Sequence, residues 1–317
     1  MSLANNTTEL NAICPQVAVI KEEYGKQTNL ISQIKAVLEQ KASGEIPPSK
    51  LTSLLDGSIT ELTEQDLQGL TKIRWYGLYY LSQLKSVYLP NTVKSIETQA
   101  FMYCQYMETL VMPNSVTYIG GSAFQGCGAL NVYYKGTLEQ WVKINFHNNT
   151  ASPTGYVENV YINNEPLINL TIPDTITEIS DSAFSGCRTL TSLTIGSGLT
   201  KLSKWVFVNC TKLTSVNFSE NSQLRTIEQE AFATCTKLSN ITIPSSVTSI
   251  DAYALTIGSS SNKATIEFKG TTPPTITTST FTANKLNQII VPKGYGDTYK
   301  SATNWSNFAD YIVEASE

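Results

Sequence analysis

Histidine and charge are scarce in this chain. The 317 residues include one histidine, His147, and only 15% of them are charged, with a net charge of -4. A nucleophilic triad would have to use His147, yet no G-x-S-x-G or comparable context accompanies any serine. We therefore interpret it as an exposed loop histidine; a hydrolase that uses His147 is the alternative. Lys and Arg form no cluster, so nucleic acid is not an expected partner.

Long apolar runs and targeting signals are missing as well. No stretch approaches the length of a membrane span, and the opening MSLANNTTELNAIC contains neither a basic region nor a long apolar one. We expect a protein that is made in the cytoplasm without a signal peptide and does not insert into membranes. The carboxylates fall at unrelated positions, and no phosphate-binding glycine motif occurs. We therefore predict no enzyme, with no catalytic residue, no cofactor and no metal.

What the chain does have is a repeated sequence. The words SAFQGC at 122–127 and SAFSGC at 182–187 belong to one template, with a cysteine three residues after a phenylalanine and a leucine or methionine three residues later. The phenylalanines are Phe101, Phe124, Phe184, Phe207 and Phe232. Two further units have Leu78 and Leu255 in that place. A unit of about 23 residues cannot bury its apolar side alone, so the units must stack into a solenoid.

Each unit also predicts one short strand. The pattern L-x-x-L-x-L, seen as LTSVNF at 213–218, alternates apolar and polar residues, and a proline often follows it. Neighbouring strands would add to one parallel sheet at about 4.8 Å spacing. The remainder of each unit returns across the other side with its Val, Ile and Phe side chains pointing inward.

Five of the six cysteines occupy the same template position, each in a different unit. They are Cys104, Cys127, Cys187, Cys210 and Cys235. We interpret them as buried structural residues, because a free cysteine is small and apolar. Disulfides or a metal site are the alternatives, but the number is odd and close C-x-x-C pairs are absent. Free thiols also indicate a reducing compartment during folding.

The pattern I-x-x-x-A-F-x-x-C-x-x-L-x-x-[VIL]-x-[IMF]-P resembles the BspA-like leucine-rich repeat family of gut bacteria, their prophages and some protists. The resemblance covers 51 to the C-terminus, with repeats over 57–317, a long repeat variant at 135–170 and a closing segment at 264–317. It implies a leucine-rich-repeat solenoid, with a curved parallel sheet on one face and irregular or short elements on the other. It also implies a non-enzymatic surface for adhesion to host, matrix or other cells.

The first 45 residues follow a different period. Apolar residues from Leu10 to Leu38 are spaced alternately by three and four, which predicts an α-helix and a coiled coil over 10–38. Isoleucine at both core positions favours a homotrimer, and a single helix that caps the first repeat is the alternative. A short linker at 46–56 follows. The segment also resembles the start of Firmicutes prophage structural proteins, including tail-associated ones.

The candidate ligand-binding residues are the outward strand positions between apolar pairs. They are Tyr88, Val111, Tyr134, Thr194, Asn217 and Thr242. Tyr88, Val111 and Tyr134 would form a partly aromatic strip, which can stack on sugars or bury at protein interfaces. Ordinary exposed strand residues of high β-propensity are the alternative. Trp141 and Trp305 are expected to pin the long repeat and the closing segment.

Together these features predict a recognition or adhesion protein. It would bind a protein or glycan ligand on a cell or matrix surface through the repeat face, as a prophage tail-associated component. The alternative is a secreted bacterial surface adhesin without its export signal. In both cases we expect it to work outside the cell, on a cell surface or a virion.

Overall fold

The computed structural model describes residue 53 and residues 58–316. The predicted helix at 1–45, its coiled coil at 10–38 and nearly all of the linker at 46–56 lie outside the described residues. In the described part, each repeat unit forms one coil, and most units contain a longer strand, a turn that often includes a proline, a two-residue strand and a second turn. The longer strands line up along one side of the coil, and the two-residue strands along another.

The longer strands make up what we call the long-strand face, which consists of three sheets. The first sheet contains β1 (Glu61–Leu62), β3 (Ser86–Tyr88), β5 (Thr109–Met112), β7 (Asn131–Tyr134), β9 (Asn159–Ile162) and β10 (Glu165–Pro166). The second contains β11 (Asn169–Ile172), β12 (Ser192–Ile195) and β14 (Ser215–Phe218). The third contains β16 (Asn240–Ile243), β18 (Ala264–Phe268), β20 (Leu286–Val291) and β21 (Ile312–Glu314).

The two-residue strands make up the short-strand face, which consists of two sheets. One contains β2 (Lys72–Ile73), β4 (Ser95–Ile96), β6 (Tyr118–Ile119) and β8 (Asn145–Phe146). The other contains β13 (Lys201–Leu202), β15 (Thr226–Ile227), β17 (Ser249–Ile250) and β19 (Thr275–Ile276). Apart from the β9–β10 hairpin, the strand pairs on both faces are parallel. The predicted solenoid with parallel strands is therefore confirmed.

The A-F-x-x-C word and its variants lie in a turn that follows the two-residue strand in most units, and we call this turn the turn segment. Its backbone N–H groups donate to carbonyls of the next unit, for example Phe101 N–H to Ala123 O at 2.9 Å and Tyr103 N–H to Gln125 O at 2.7 Å. These bonds provide partners for backbone N–H and C=O groups of the turns, which lie outside the sheets. Each coil is thus held to the next on the turn side as well as through its strands.

The core is a column of stacked phenylalanines. Ring centroids are 5.5 Å apart between Phe101 and Phe124, and 5.5 Å apart on both sides of Phe207, which lies between Phe184 and Phe232. All five side chains are fully buried. Stacked rings add to the free energy of burial, by about 0.5–1.5 kcal/mol per pair. The inward position predicted for these phenylalanines is confirmed.

A column of free, buried cysteines runs beside the phenylalanines. Each thiol points at a backbone carbonyl of the preceding unit; Cys127 Sγ lies 3.0 Å from Phe101 O and Cys235 Sγ lies 3.2 Å from Phe207 O. Burial raises the pKa of Cys127 to about 12, so it stays a neutral donor. The structural interpretation of the five cysteines is confirmed, and in the described residues no metal-binding cluster includes them.

The long repeat keeps both strand faces continuous up to its end. Its strands β8 and β9 pair with β6 and β7, and the short helix α1 (Leu138–Trp141) and a 3-10 helix (Pro153–Gly155) fill the added length. Thr137 and Gln140 form a capping box at the start of α1, because each side chain bonds to the other's backbone N–H. The Trp141 indole N–H donates to Ala183 O at 3.0 Å. Trp141 therefore pins the long repeat to the next unit, as predicted.

The closing segment covers the far end of the core with aromatic rings. It contains the helix α2 (Gly296–Ser301), a 3-10 helix (Trp305–Tyr311) and β21. The rings of Phe268, Phe281, Tyr299 and Trp305 are in mutual contact, with centroids 4.9–6.4 Å apart. The Trp305 indole N–H donates to Pro274 O at 2.9 Å. The predicted pinning role of Trp305 is confirmed.

The predicted outward position of Tyr134 is wrong. On β7 the side chains of Val132 and Tyr134 point into the core, and Tyr133 points outward. The cause is the length of the preceding turn: one residue separates Leu130 from Val132, whereas two separate Met107 from Leu110 in the unit before. Because side chains alternate along a strand, a shift of one residue exchanges the inward and outward sets.

Tyr134 is a core residue. It is 2% exposed, and its ring packs edge-on against Trp141, with centroids 5.3 Å apart. The ring lies so close to Gly136 that a Cβ at that position would approach within 2.6 Å of it. Burial raises the pKa of the Tyr134 hydroxyl to about 12, and this hydroxyl has no hydrogen-bond partner among the described residues.

We expect Phe207→Ala to lower the free energy of unfolding by about 3–5 kcal/mol, because it removes a fully buried ring from the middle of the stack. Tyr253→Ala removes a ring that is 50% exposed at another turn segment, so it serves as the matched control. Urea unfolding followed by circular dichroism measures both. Equal losses for the two variants would contradict the packing of the column.

We expect the five repeat thiols to resist alkylation in the native protein. Iodoacetamide reacts with thiolates, and burial blocks access to all five thiols. Burial also raises the pKa of four of them, namely Cys104, Cys127, Cys187 and Cys210. Mass spectrometry of peptides that contain Cys104, Cys127, Cys187, Cys210 or Cys235 should show modification only after addition of denaturant. Rapid modification of the folded chain at any of these positions would show that its thiol is not in the core.

The two adjacent tyrosines of β7 should respond differently to substitution. We expect Tyr134→Ala to cost about 3 kcal/mol or more, as for a buried aromatic ring. Tyr133→Ala should cost about 1 kcal/mol, the value of one ring contact. Tyr134→Phe should be neutral or stabilising, because it removes a buried hydroxyl that has no partner. Denaturant midpoints measure all three, and a larger loss for Tyr133→Ala than for Tyr134→Ala would refute the register described here.

Candidate functional site

Parallel pairing aligns four outward side chains of the first sheet into one line, which we call the tyrosine column. The Cα partners run from Tyr88 on β3 to Val111 on β5, then to Tyr133 on β7 and Tyr161 on β9. All four are partly exposed. The rings of Tyr133 and Tyr161 stack with centroids 4.7 Å apart and planes 12° apart. This end of the column is therefore a fixed aromatic surface.

A polar column runs alongside the tyrosine column. It consists of Ser86, Thr109, Asn131 and Asn159, which occupy the outward position two residues earlier on the same strands. The Asn159 amide donates to Asn131 Oδ1 at 2.9 Å, so the two amides hold each other in place beside the tyrosines. Aromatic rings next to oriented amides are a common composition of binding surfaces, because the rings supply contact area and the amides fix orientation.

The six residues predicted from the sequence do not form one site. Tyr88 and Val111 lie on the tyrosine column, whereas Tyr134 is in the core. Thr194 and Asn217 are exposed neighbours on the second sheet, and Thr242 is exposed on the third sheet. The outward placement of these three and the partial exposure of Tyr88 and Val111 agree with the prediction.

Sequence reasoning missed Tyr133 and Tyr161, although a signal was present. The triplet Asn-Val-Tyr occurs at 131–133 and again at 159–161, and in both copies the valine is buried and the tyrosine is outward. Alignment on the phenylalanine alone hid this match, because the turn before β7 is one residue shorter. Alignment on the strand triplets would have placed both tyrosines in the column.

The outward positions of the C-terminal half carry small polar and charged residues. The Thr242 hydroxyl donates to Glu267 Oε2 at 3.0 Å, and the Lys269 ammonium is 2.5 Å from the other oxygen of that carboxylate. Hydrogen bonding to Lys269 is the main cause that lowers the pKa of Glu267. Asn217 and Thr242 also line a cleft of about 390 Å³ between β14 and β16, where the second sheet ends and the third begins.

His147 is exposed, and its ring packs edge-on against Tyr118 with centroids 6.5 Å apart. Within residues 58–316 and at residue 53, no group of three or more His, Cys, Asp or Glu side chains could hold a metal ion. The helices of the same described residues include none that is long and apolar enough to cross a membrane.

Several solved structures are similar to this chain at low identity. A leucine rich cell surface protein from Faecalibacterium prausnitzii is 18% identical, with a TM-score of 0.42, over 81% of this chain and 82% of its own. The pneumococcal vaccine antigen PcpA is 16% identical, with a TM-score of 0.46, over 82% and 78%. A leucine-rich repeat protein from Bacteroides ovatus is 17% identical, with a TM-score of 0.38, over 78% and 76%.

No curated protein matches the chain at a significant level. The family model of the BspA type leucine rich repeat region matches it in 6 copies, over residues 57–152, 156–287 and 220–314. These matches cover nearly all of the repeats that the template defines, including the long repeat. They confirm the resemblance carried by the A-F-x-x-C word, and the chain therefore belongs to the BspA type leucine-rich repeat family.

Proposed function

We propose that this chain is a non-enzymatic recognition and adhesion protein that binds a ligand on a cell or matrix surface through the tyrosine column. Membership of the BspA type family is consistent with a protein-binding or adhesion role. The observation that carries the proposal is the stacked pair of Tyr133 and Tyr161 beside the paired amides of Asn131 and Asn159. The same template positions in the C-terminal half hold Thr171, Thr194 and Asn217.

The physical basis of binding would be the burial of ordered aromatic rings. Tyrosine offers a large contact area at a low cost in side-chain entropy, and residues of this kind dominate the energetics of interfaces. The stack fixes both rings before a ligand arrives, which reduces the ordering cost further. Ordinary β-propensity also favours tyrosine on an outward strand position, so only substitution separates the two explanations.

The setting of this protein is part of the same proposal. We propose that it acts outside the cell, either as a tail-associated component of a phage-like particle or as a secreted surface adhesin. Both settings use the same repeat face. Mass spectrometry of purified particles and of the cell-surface fraction distinguishes them, because only a structural component would copurify with particles at a constant ratio.

The test is an array of glycans and matrix proteins probed with the full chain and its variants. We expect Tyr133→Ala and Tyr161→Ala to weaken binding to the selected ligand by roughly 30-fold, the effect of losing an aromatic anchor at about 2 kcal/mol. Thr171→Ala and Thr194→Ala change the same template position on the second sheet and should leave binding unchanged. Circular dichroism confirms that each variant is folded. Loss of binding in the threonine variants alone would contradict the proposed site.

A further inference from the structure

A second aromatic surface lies on the turn segments of two neighbouring units, away from the long-strand face. It consists of Trp75, Tyr76, Tyr79, Tyr80 and Tyr103, and we call it the aromatic platform. Each ring contacts the next: Trp75 stacks on Tyr76 with centroids 5.2 Å apart, and the three contacts of Tyr79 with other tyrosines are 5.0–6.0 Å. The Trp75 side chain is 59% exposed, and the four tyrosines are partly exposed.

The platform is held in place by the backbone and by side-chain hydrogen bonds. Tyr80 N–H donates to Met102 O at 2.9 Å, which fixes the first turn segment against the second. The Trp75 indole N–H donates to Gln99 Oε1 at 3.2 Å, so the orientation of the indole is set by the neighbouring unit. A ligand would therefore meet rings that are already ordered.

Three of the platform tyrosines have a left-handed backbone conformation. Tyr76, Tyr80 and Tyr103 have φ angles of +56°, +57° and +61°. The positions equivalent to Tyr80 and Tyr103 in later units also have positive φ, and they hold Gly126, Gly186, Asn209 and Thr234. Glycine and asparagine are the residues that tolerate this left-handed region best. The conformation therefore belongs to the repeat, and the first two units differ from the later ones in placing a large ring at this position.

The next unit leaves room for the last ring of the platform. The Tyr103 ring lies against the backbone of Gly126, where an added Cβ would be 2.5 Å from Tyr103 Cδ1. The aromatic side chains of the platform thus come from two units. The third unit has a glycine, without a side chain, where it meets the last ring. The platform is bounded, and it is not a general feature of the repeat.

The chemistry of the platform is neutral. The stretches 75–83, 98–106 and 121–129 contain no Asp, Glu, Lys, Arg or His, and the two charged residues that precede the first two, Arg74 and Glu97, have opposite signs. The later segments contain Asp181, Arg188, Lys204 and Glu230. Glutamine side chains border the rings, at Gln83, Gln99, Gln105 and Gln125. Amides and phenolic hydroxyls both donate and accept hydrogen bonds, as sugar hydroxyls do.

Aliphatic side chains contribute almost nothing to this surface. Leu78 in these stretches and Leu84 and Met107, which follow them directly, are at most 1% exposed, and Leu81 and Met102 are also buried. The exposed apolar area is thus made of flat rings that carry polar edges. An exposed ring face suits the C–H face of a pyranose. The Trp75 ring is nearly parallel to Tyr76, with planes 19° apart, whereas Tyr79 is nearly perpendicular to Tyr76, at 86°. Tyrosine and tryptophan are also enriched at protein interfaces, so a protein partner is the alternative that the test must separate.

We propose that the aromatic platform binds a neutral hexose polysaccharide. Trp75 stacks on one sugar ring, Tyr79 holds the neighbouring tyrosine rings in place, and Gln99 and the tyrosine hydroxyls bond to sugar hydroxyls. The charged residues that flank the platform, Arg74 and Glu97, have opposite signs, so an acidic polymer gains no net attraction there and is not preferred. This site is separate from the tyrosine column, since the two lie on different sides of the coil.

The test is calorimetric titration of the full chain with cellohexaose and maltohexaose, and with a hyaluronan oligomer as the acidic counterpart. We expect at least one neutral hexamer to bind, with at least tenfold weaker binding for Trp75→Ala and Tyr79→Ala. Trp75→Phe should recover most of the affinity, because it restores a ring. Tyr253→Ala is the matched control, since Tyr253 is an exposed tyrosine at the template position of Tyr76 with a φ of +59°.

Circular dichroism and thermal midpoints verify that the variants are folded. The proposal is overturned if neither neutral hexamer binds the wild-type chain, if the hyaluronan oligomer binds more tightly, or if Trp75→Ala binds as well as wild type. Loss of the hexamer in Tyr133→Ala but not in Trp75→Ala would move the site to the tyrosine column and overturn it too. A protein ligand that depends on Trp75, without any hexamer binding, assigns the platform to a protein partner instead.

Discussion

The stacking of each unit on its neighbours is the constraint on which this structure depends. A single coil has one phenylalanine, one cysteine and a few aliphatic side chains, which is too little to form a core. Phe207 is buried because Phe184 and Phe232 cover its two faces. The thiols obey the same rule, since the carbonyl that each one faces belongs to the preceding unit. The position of a residue within its unit therefore decides whether it is buried.

This constraint makes the long-strand face sensitive to turn length. One residue fewer before β7 moves Tyr134 into the core against Trp141 and turns Tyr133 outward. The following unit keeps the exchanged register, which places Tyr161 over Tyr133. The shorter turn and the hairpin after β9 occur in the same part of the chain. Asn163 and Asn164, with φ of +54° and +62°, form that hairpin, after which the first sheet ends.

The sequence predicts the buried part of this protein better than its outward part. The template predicts that the side chains of Phe101, Cys127 and Leu193 are buried, because each unit must bury the same positions in order to stack on its neighbours. Tyr134 was assigned to the wrong side because counting from a phenylalanine assumes equal turn lengths. The template does not predict the surface formed by Trp75 and Tyr79 for another reason. These residues occupy template positions at which the residue type varies among units. Their contact becomes visible only when backbone bonds bring two turn segments together.

Because buried positions are shared by all units, the units can differ only on their outward surfaces. In this chain the aromatic differences are concentrated between Trp75 and Tyr161, on two sides of the same coils, whereas Thr and Asn predominate on the later strands. The tyrosine column and the aromatic platform are thus two sets of rings on different sides of the same coils. The rigid stacking of the units keeps these two sets of rings at a fixed separation. The shared core therefore fixes the positions of the outward residues in which the units differ.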